Sequence, residues 1–427
     1  MTTESLKYLT TEQALADLAT FIVAMNKKHN FQNPKWVTFG GSYPGALSAW
    51  FKQKYPDLTV GAIASSGPVN LKLDFYEYAM VVNDVIKATD INCYNNVADA
   101  FNKIQKYALS TEGRNTLNTI FHLSPPFDSN TKKADITNFY ENLYNAFQGM
   151  IQYTYDGSSN DTAYSLTAAK ICENMNNANE PDTVKRVYNL VMWYQQFYPT
   201  GLADTSIMLN NYQSQTVDYL GQTNISQMDD GAVEYRGWMW LCCNEIGYLQ
   251  TTDQGRNIFG STVPLNYFID TCTDIFGTNI TADFVRPRNL AAQNFYGGAV
   301  KYEAVNVTLP NGKFDPWHAL GYYTSPENAQ RDADNHVHSV LIDGAAHCSD
   351  MYPVYPDEPA GLVAARAAIQ ADIEYFIGIR GGNGDPNDSS SSSTTSTTAT
   401  PTTSPSSLTS VFTSFVLLLS TLYFLRQ

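Results

Sequence analysis

Ser42 stands in the stretch "FGGSYPG", where an apolar run meets a run of helical spacing. Before it, "PKWVTFGG" has the β-branched and aromatic character of a short buried strand; after it, "YPGALSAWFKQKYP" carries apolar residues at helical intervals and stops at Pro56. A serine on a sharp strand-to-helix turn between small residues is a nucleophile elbow, and the free N–H groups of the helix start favour negative charge beside it. The amide of Tyr43, next in the chain, is placed to hold an oxyanion. The usual spacing is G-x-S-x-G, whereas Gly40-Gly41-Ser42-Tyr43-Pro44-Gly45 puts the second glycine one place late. Taken alone, the stretch reads equally well as an ordinary tight turn.

A nucleophilic serine needs a base, and the base needs an acid to orient it. In "YEAVNVTLPNGKFDPWHALG" a strand ends at Leu309, and a Pro-Asn-Gly turn projects Asp315 from its carboxyl end. In "HSVLIDGAAHCSDMYP" a strand over Ser339 to Ile342 is followed by a loop of small residues carrying His347. Three residues in the order Ser, Asp, His, each just after a strand, follow the order of α/β-hydrolases. The other histidines fit less well: His29 and His122 lie away from such a loop, His318 adjoins Asp315, and His336 and His338 precede the last strand in surface or capping positions. The competing reading of Asp315 is a turn-capping residue before Pro316.

The elements that hold these residues belong to a chain of 427 residues, long enough for one large domain or a domain with a substantial insertion. Lys and Arg number 26 against 41 Asp and Glu, a net charge of -15, which excludes a phosphate-tracking surface and hence nucleic acid as a partner. The six cysteines, Cys93, Cys172, Cys242, Cys243, Cys272 and Cys348, are too scattered for a zinc site of paired C-x-x-C ligands, so neither metal nor cofactor is expected. An even count suits three disulfides, with buried thiols as the alternative. Glycosylation acceptors at Asn160, Asn224, Asn279, Asn306 and Asn387 add to a secretory reading. Residues 381–407 are a Ser/Thr-rich stalk that cannot form a core, and residues 408–427 form a short apolar tail with the pattern of a GPI-attachment signal or membrane anchor. No signal peptide follows Met1.

"FGGSYPGALSAWFKQKYP", "NGKFDPW" and "GAAHCSDMYP" together resemble the S28 serine peptidases, with support from "YLTTEQALADLATFI", "GAIASSGPV" and "WMWLCCNEIGYLQT". The resemblance runs from about Ser5 to Gly378. It implies an α/β-hydrolase core, residues 1–69 and 287–380, interrupted by a mostly helical cap over 70–286. It also implies an upstream segment, with the first strands and part of the oxyanion hole, so the core is expected to be truncated at its amino end. The implied activity is a serine exopeptidase cleaving next to proline, as a carboxypeptidase or a dipeptidyl peptidase, on the cell surface or in lysosomes. Trp317 matches the position whose indole lines the proline pocket, and Glu245 and Trp238 face the cleft in the same picture. Peptides with proline near one end are then the partners, together with a membrane through the tail; a homodimer is compatible. The alternatives are a catalytically impaired relative used for binding, or an esterase or lipase on the same scaffold.

Overall fold

The structure, a computed structural model, describes residues 1–155, 166–197 and 204–379. The stalk and tail lie outside the described residues, as do Asn160 and Asn387. Among the described residues, no helix is long and apolar enough to cross a membrane.

Four strands form one parallel sheet in the order β1-β2-β5-β6. They are β1 (Val37–Gly41), β2 (Gly61–Ser65), β5 (Val307–Gly312) and β6 (Val337–Ile342). The register pairs Val37 with Gly61 and Val307 with Val337, so all four strands end on one edge. Ser42, Asp315 and His347 follow three of those ends. Side chains gathered from loops at the carboxyl edge of a parallel sheet are where such folds place their ligands.

β1 passes into helix α2 (Tyr43–Lys54), which packs on β1 and β2 and buries Ala49, Trp50 and Phe51. Trp50 stacks on Tyr296 at 4.2 Å, anchoring α2 to the helix Ala282–Tyr296. Upstream, α1 (Thr11–His29) starts at Thr10, whose hydroxyl accepts from the Gln13 amide, and ends at a left-handed Asn30. β2 is buried at every position, as expected of a central parallel strand.

Between β2 and β5 the regular structure of the described chain is almost wholly helical, with loops such as residues 66–76 and 247–264 between the helices. It includes α3 (Glu77–Thr89), α4 (Lys133–Gln152) and α5 (Asp230–Leu241), besides one small pairing of β3 (Leu123–Ser124) with β4 (Met208–Leu209). Disulfides tie Cys93 to Cys172 and Cys243 to Cys272. The third expected disulfide does not form: Cys242 and Cys348 are buried free thiols. Cys242 shares a helical turn with Cys243, and neighbouring helical side chains diverge by about 100°, so only one of the pair faces Cys272. Cys348 is held in the loop after β6, against the elbow. The described chain closes with α6 (Ala360–Phe376), which packs on β2, β5 and β6.

Both late strands exceed their expected lengths. β5 runs through Pro310 to Gly312, because parallel neighbours use the Pro310 carbonyl, which accepts from Ser66 N–H at 2.7 Å. β6 begins at Val337, so His338 lies inside the strand rather than before it.

Candidate active site

Ser42 adopts φ 63° and ψ -131°, a conformation an L-residue takes only when the surroundings enforce it, at a cost of about 1–3 kcal/mol. Three contacts do so. The Ser42 amide donates to the Ser65 carbonyl at 2.9 Å, tying the elbow to the end of β2. A Cβ on Gly45 would come within 2.5 Å of the same carbonyl, which explains a glycine one place later than the usual spacing. A Cβ on Gly41 would lie 2.6 Å from Met351 Sδ and 3.0 Å from Cys348 Sγ, so the loop after β6 rests directly on the elbow. That loop is also fixed from below, since Cys348 N–H donates to Ser66 Oγ at 2.9 Å.

Asp315 is fully buried, and its two oxygens have separate duties. Oδ1 accepts from the Trp317 amide at 2.9 Å, capping the short helix Pro316–Leu320, while Oδ2 lies 2.8 Å from His347 Nδ1. Asp315 thus caps its turn with one oxygen and contacts His347 with the other. His347 is 1% exposed; its Nε2 is buried and has no hydrogen-bond partner among the described residues. Burial, the largest influence, disfavours the charged imidazole, but Asp315 and Cys348 together outweigh it and hold His347 well above its ordinary value.

The remaining histidines are elsewhere. His29 stacks on Phe31, His122 caps the helix Thr111–Phe121, and His318 is pushed down by burial against the pull of Asp315. His336 and His338 gather around Asp372.

Trp317 stands beside the histidine, with ring centres 6.4 Å apart, in an aromatic nest with Phe75 (5.3 Å), Tyr78 (5.8 Å), Tyr248 (5.4 Å) and Trp238 (6.4 Å). Trp238 in turn meets the ring of Tyr43 at 6.0 Å, so one aromatic wall joins the elbow to the acid loop. Glu245 is held by Thr11: both carboxylate oxygens accept hydrogen bonds from it, one from its amide at 2.9 Å and one from its hydroxyl. Burial raises its pKa, and the Thr11 hydrogen bonds oppose the rise.

Gln152, at the end of α4, has no counterpart in the sequence reading. Its side-chain oxygen accepts from Trp317 Nε1 at 2.9 Å and from Tyr78 Oη at 2.6 Å, while its carbonyl accepts from His347 N–H at 3.0 Å. A glutamine remote in sequence and outside any motif carries no signal of such a role. Tyr248 was within reach, because it lies in "WMWLCCNEIGYLQT".

A serine on a strained strand-to-helix turn and a buried Asp–His pair, at one edge of a parallel sheet, define a serine hydrolase of the α/β class. The family model for serine carboxypeptidase S28 matches residues 1–369, and the chain belongs to that family of serine peptidases. It is 54% identical over 377 residues, 88% of this chain and 68% of the relative, to a Caenorhabditis elegans protein described as a serine protease. It is 27% identical to the lysosomal Pro-X carboxypeptidase of Mus musculus over 377 residues, 85% of this chain and 68% of that enzyme. The human thymus-specific serine protease is 26% identical over 387 residues, 87% of this chain and 69% of that protein.

Proposed function

We propose that the chain hydrolyses peptide bonds next to proline, with Ser42 as nucleophile, His347 as base and Asp315 as its orienting acid. The observation that carries this reading is the buried His347 ring, bonded through Nδ1 to Asp315 with Nε2 left over. Ser42 Oγ attacks the scissile carbonyl carbon as its proton passes to Nε2; the carbonyl π electrons move onto oxygen, where the Tyr43 amide stabilises them. Collapse breaks the C–N bond, and the departing amine takes the proton from Nε2. Water then repeats the sequence on the acyl-enzyme, returning the proton to Ser42.

The nest of Trp317, Phe75, Tyr78, Tyr248 and Trp238 offers a rigid apolar wall to a pyrrolidine ring, which supports proline as the recognised residue. The mouse relative, named for Pro-X cleavage, points the same way. Residues 70–286 act as the cap that carries four of those five rings. The enzyme works in lysosomes or outside the cell, like relatives named as lysosomal and extracellular carboxypeptidases, with residues 381–427 as stalk and tether.

A fluorophosphonate probe should label the wild-type protein, and Ser42→Ala should abolish both labelling and turnover while near-ultraviolet dichroism is unchanged. Persistent labelling of the variant would assign the nucleophile elsewhere. Pro-X and X-Pro peptides tested beside a p-nitrophenyl ester decide the specificity, and turnover of the ester alone would remove the proline reading.

A further inference from the structure

At the opposite edge of the sheet, two imidazoles and a carboxylate converge on one point. His336 Nε2 lies 3.2 Å from Asp372 Oδ1, and His338 Nδ1 lies 2.9 Å from Oδ1 and 3.0 Å from Oδ2. The three ligand atoms, one from each residue, are all within 4.8 Å of one another. We propose that His336, His338 and Asp372 form a binding site for a divalent transition ion, Zn²⁺ in particular, that clips α6 to the start of β6.

The donor set fits that ion. Two neutral nitrogens and one carboxylate oxygen are borderline ligands that suit zinc, whereas Ca²⁺ and Mg²⁺ ask for more oxygen atoms. Ligands about 2.0–2.2 Å from a tetrahedral zinc stand roughly 3.4 Å apart, so the two His–Asp separations of 2.9–3.2 Å need an outward shift of a few tenths of an ångström, and the two imidazole nitrogens, which lie within 4.8 Å of each other, settle to the same spacing. The supports around a metal are present too. Thr308 Oγ1, from β5, donates to Asp372 Oδ2 at 2.7 Å and fixes the carboxylate. The His336 ring is stacked on Tyr375 at 3.9 Å, one face closed. Asp372 is 6% exposed, His336 23% and His338 44%, so the fourth position opens to water.

The site lies apart from the catalytic edge. β6 spans Val337–Ile342, roughly 17 Å at the usual strand rise, before the loop that carries His347 begins. An ion here joins the last helix to the sheet and leaves the chemistry at Ser42 untouched. A sequence search for zinc by cysteine spacing passes over it, because the carboxylate comes from a helix more than thirty residues downstream of the histidines.

The test uses untagged full-length protein stripped with EDTA and titrated with ZnCl₂ in a calorimeter, with melting followed in parallel. Wild type should take up one Zn²⁺ saturably and melt higher with it, and neither CaCl₂ nor MgCl₂ should reproduce the rise. His338→Ala and His338→Gln, at an exposed position that tolerates change, should each weaken binding by at least about tenfold to a hundredfold, since even outer partners of a metal cost that much. His336→Gln should do the same. Glutamine at 338 keeps a hydrogen bond to Asp372, so a loss in that variant is not a loss of fold. No saturable Zn²⁺ uptake by wild type, or unchanged affinity in both His338 variants, overturns the proposal.

Discussion

Asp315 caps its own short helix with one oxygen and grips His347 with the other, so a change there separates geometry from charge. Asp315→Asn keeps an oxygen for the Trp317 amide but turns an NH2 donor towards His347 Nδ1, which imposes the wrong imidazole tautomer. Turnover should drop by about 10⁴-fold, the loss seen when a triad acid is neutralised, with little change in melting temperature. The pH profile offers a second reading of the same pair. Because Asp315 and Cys348 together outweigh burial and raise the His347 pKa, the proposed base becomes available only above the ordinary imidazole value. The rate should therefore rise with pH along a limb centred above about 6.5, and in Asp315→Asn that limb should move to lower pH. A limb that stays put in the variant would mean that another group sets the acid side of the profile.

The strands and the helix that carry the three candidate catalytic residues were legible from local pattern, because each is decided by a few neighbouring residues. The strand before Ser42 and the helix Tyr43–Lys54 lie where their residue patterns place them, but that strand is an edge strand with Phe39 exposed rather than a buried one. Asp315 and His347 follow their strands even though Pro310–Gly312 continue β5 instead of turning. Long-range contacts were not legible. β5 and β6 are longer than their own residues suggest because each strand finds a partner across the sheet, and the role of Gln152 exists only because α4 ends against Trp317. That helix end makes a prediction of its own. Gln152→Met fills the space but removes the hydrogen bond from Tyr78 Oη and leaves Trp317 Nε1 without its acceptor, a penalty of about 1–3 kcal/mol for that buried group. The His347 amide keeps its backbone partner, so kcat/KM for a proline peptide should fall at least about tenfold, mainly through KM, while cleavage of a small ester is little changed. Equal losses on both substrates would place Gln152 in the support of His347 rather than of the aromatic wall.

Over the whole molecule the acidic composition and the buried carboxyl groups act together on stability. Asp350, beneath the His347 loop and hydrogen-bonded to Ser65, is pushed by burial from 3.8 to about 6, with Ser65 and Arg366 pulling back. Glu141 on α4 is pushed by burial from 4.5 to about 7 against a hydrogen bond from Tyr267. Each binds its proton more tightly folded than unfolded, so its contribution is complete below the unfolded value and is lost as pH rises through about 6 or 7. The raised His347 follows the same sign. His318 and His336, pushed down by burial, work the other way, favouring the unfolded chain once the pH falls below about 6.5. Since both carboxyl groups are only partly covered, each is worth about 1–3 kcal/mol between pH 4.5 and 8. Lower pH also relieves the repulsion within a chain of net charge -15. Carboxylates held low, such as Asp372 with its histidine and Thr308 partners, are lost only below about pH 4. Melting temperature should thus be higher at pH 5 than at pH 8 and fall again below pH 4. Asp350→Asn should flatten the change between pH 4 and 6 while leaving the step near 7. A wild-type melting temperature that climbs steadily from pH 5 to 8 would show that the buried histidines, not the carboxyl groups, govern the balance.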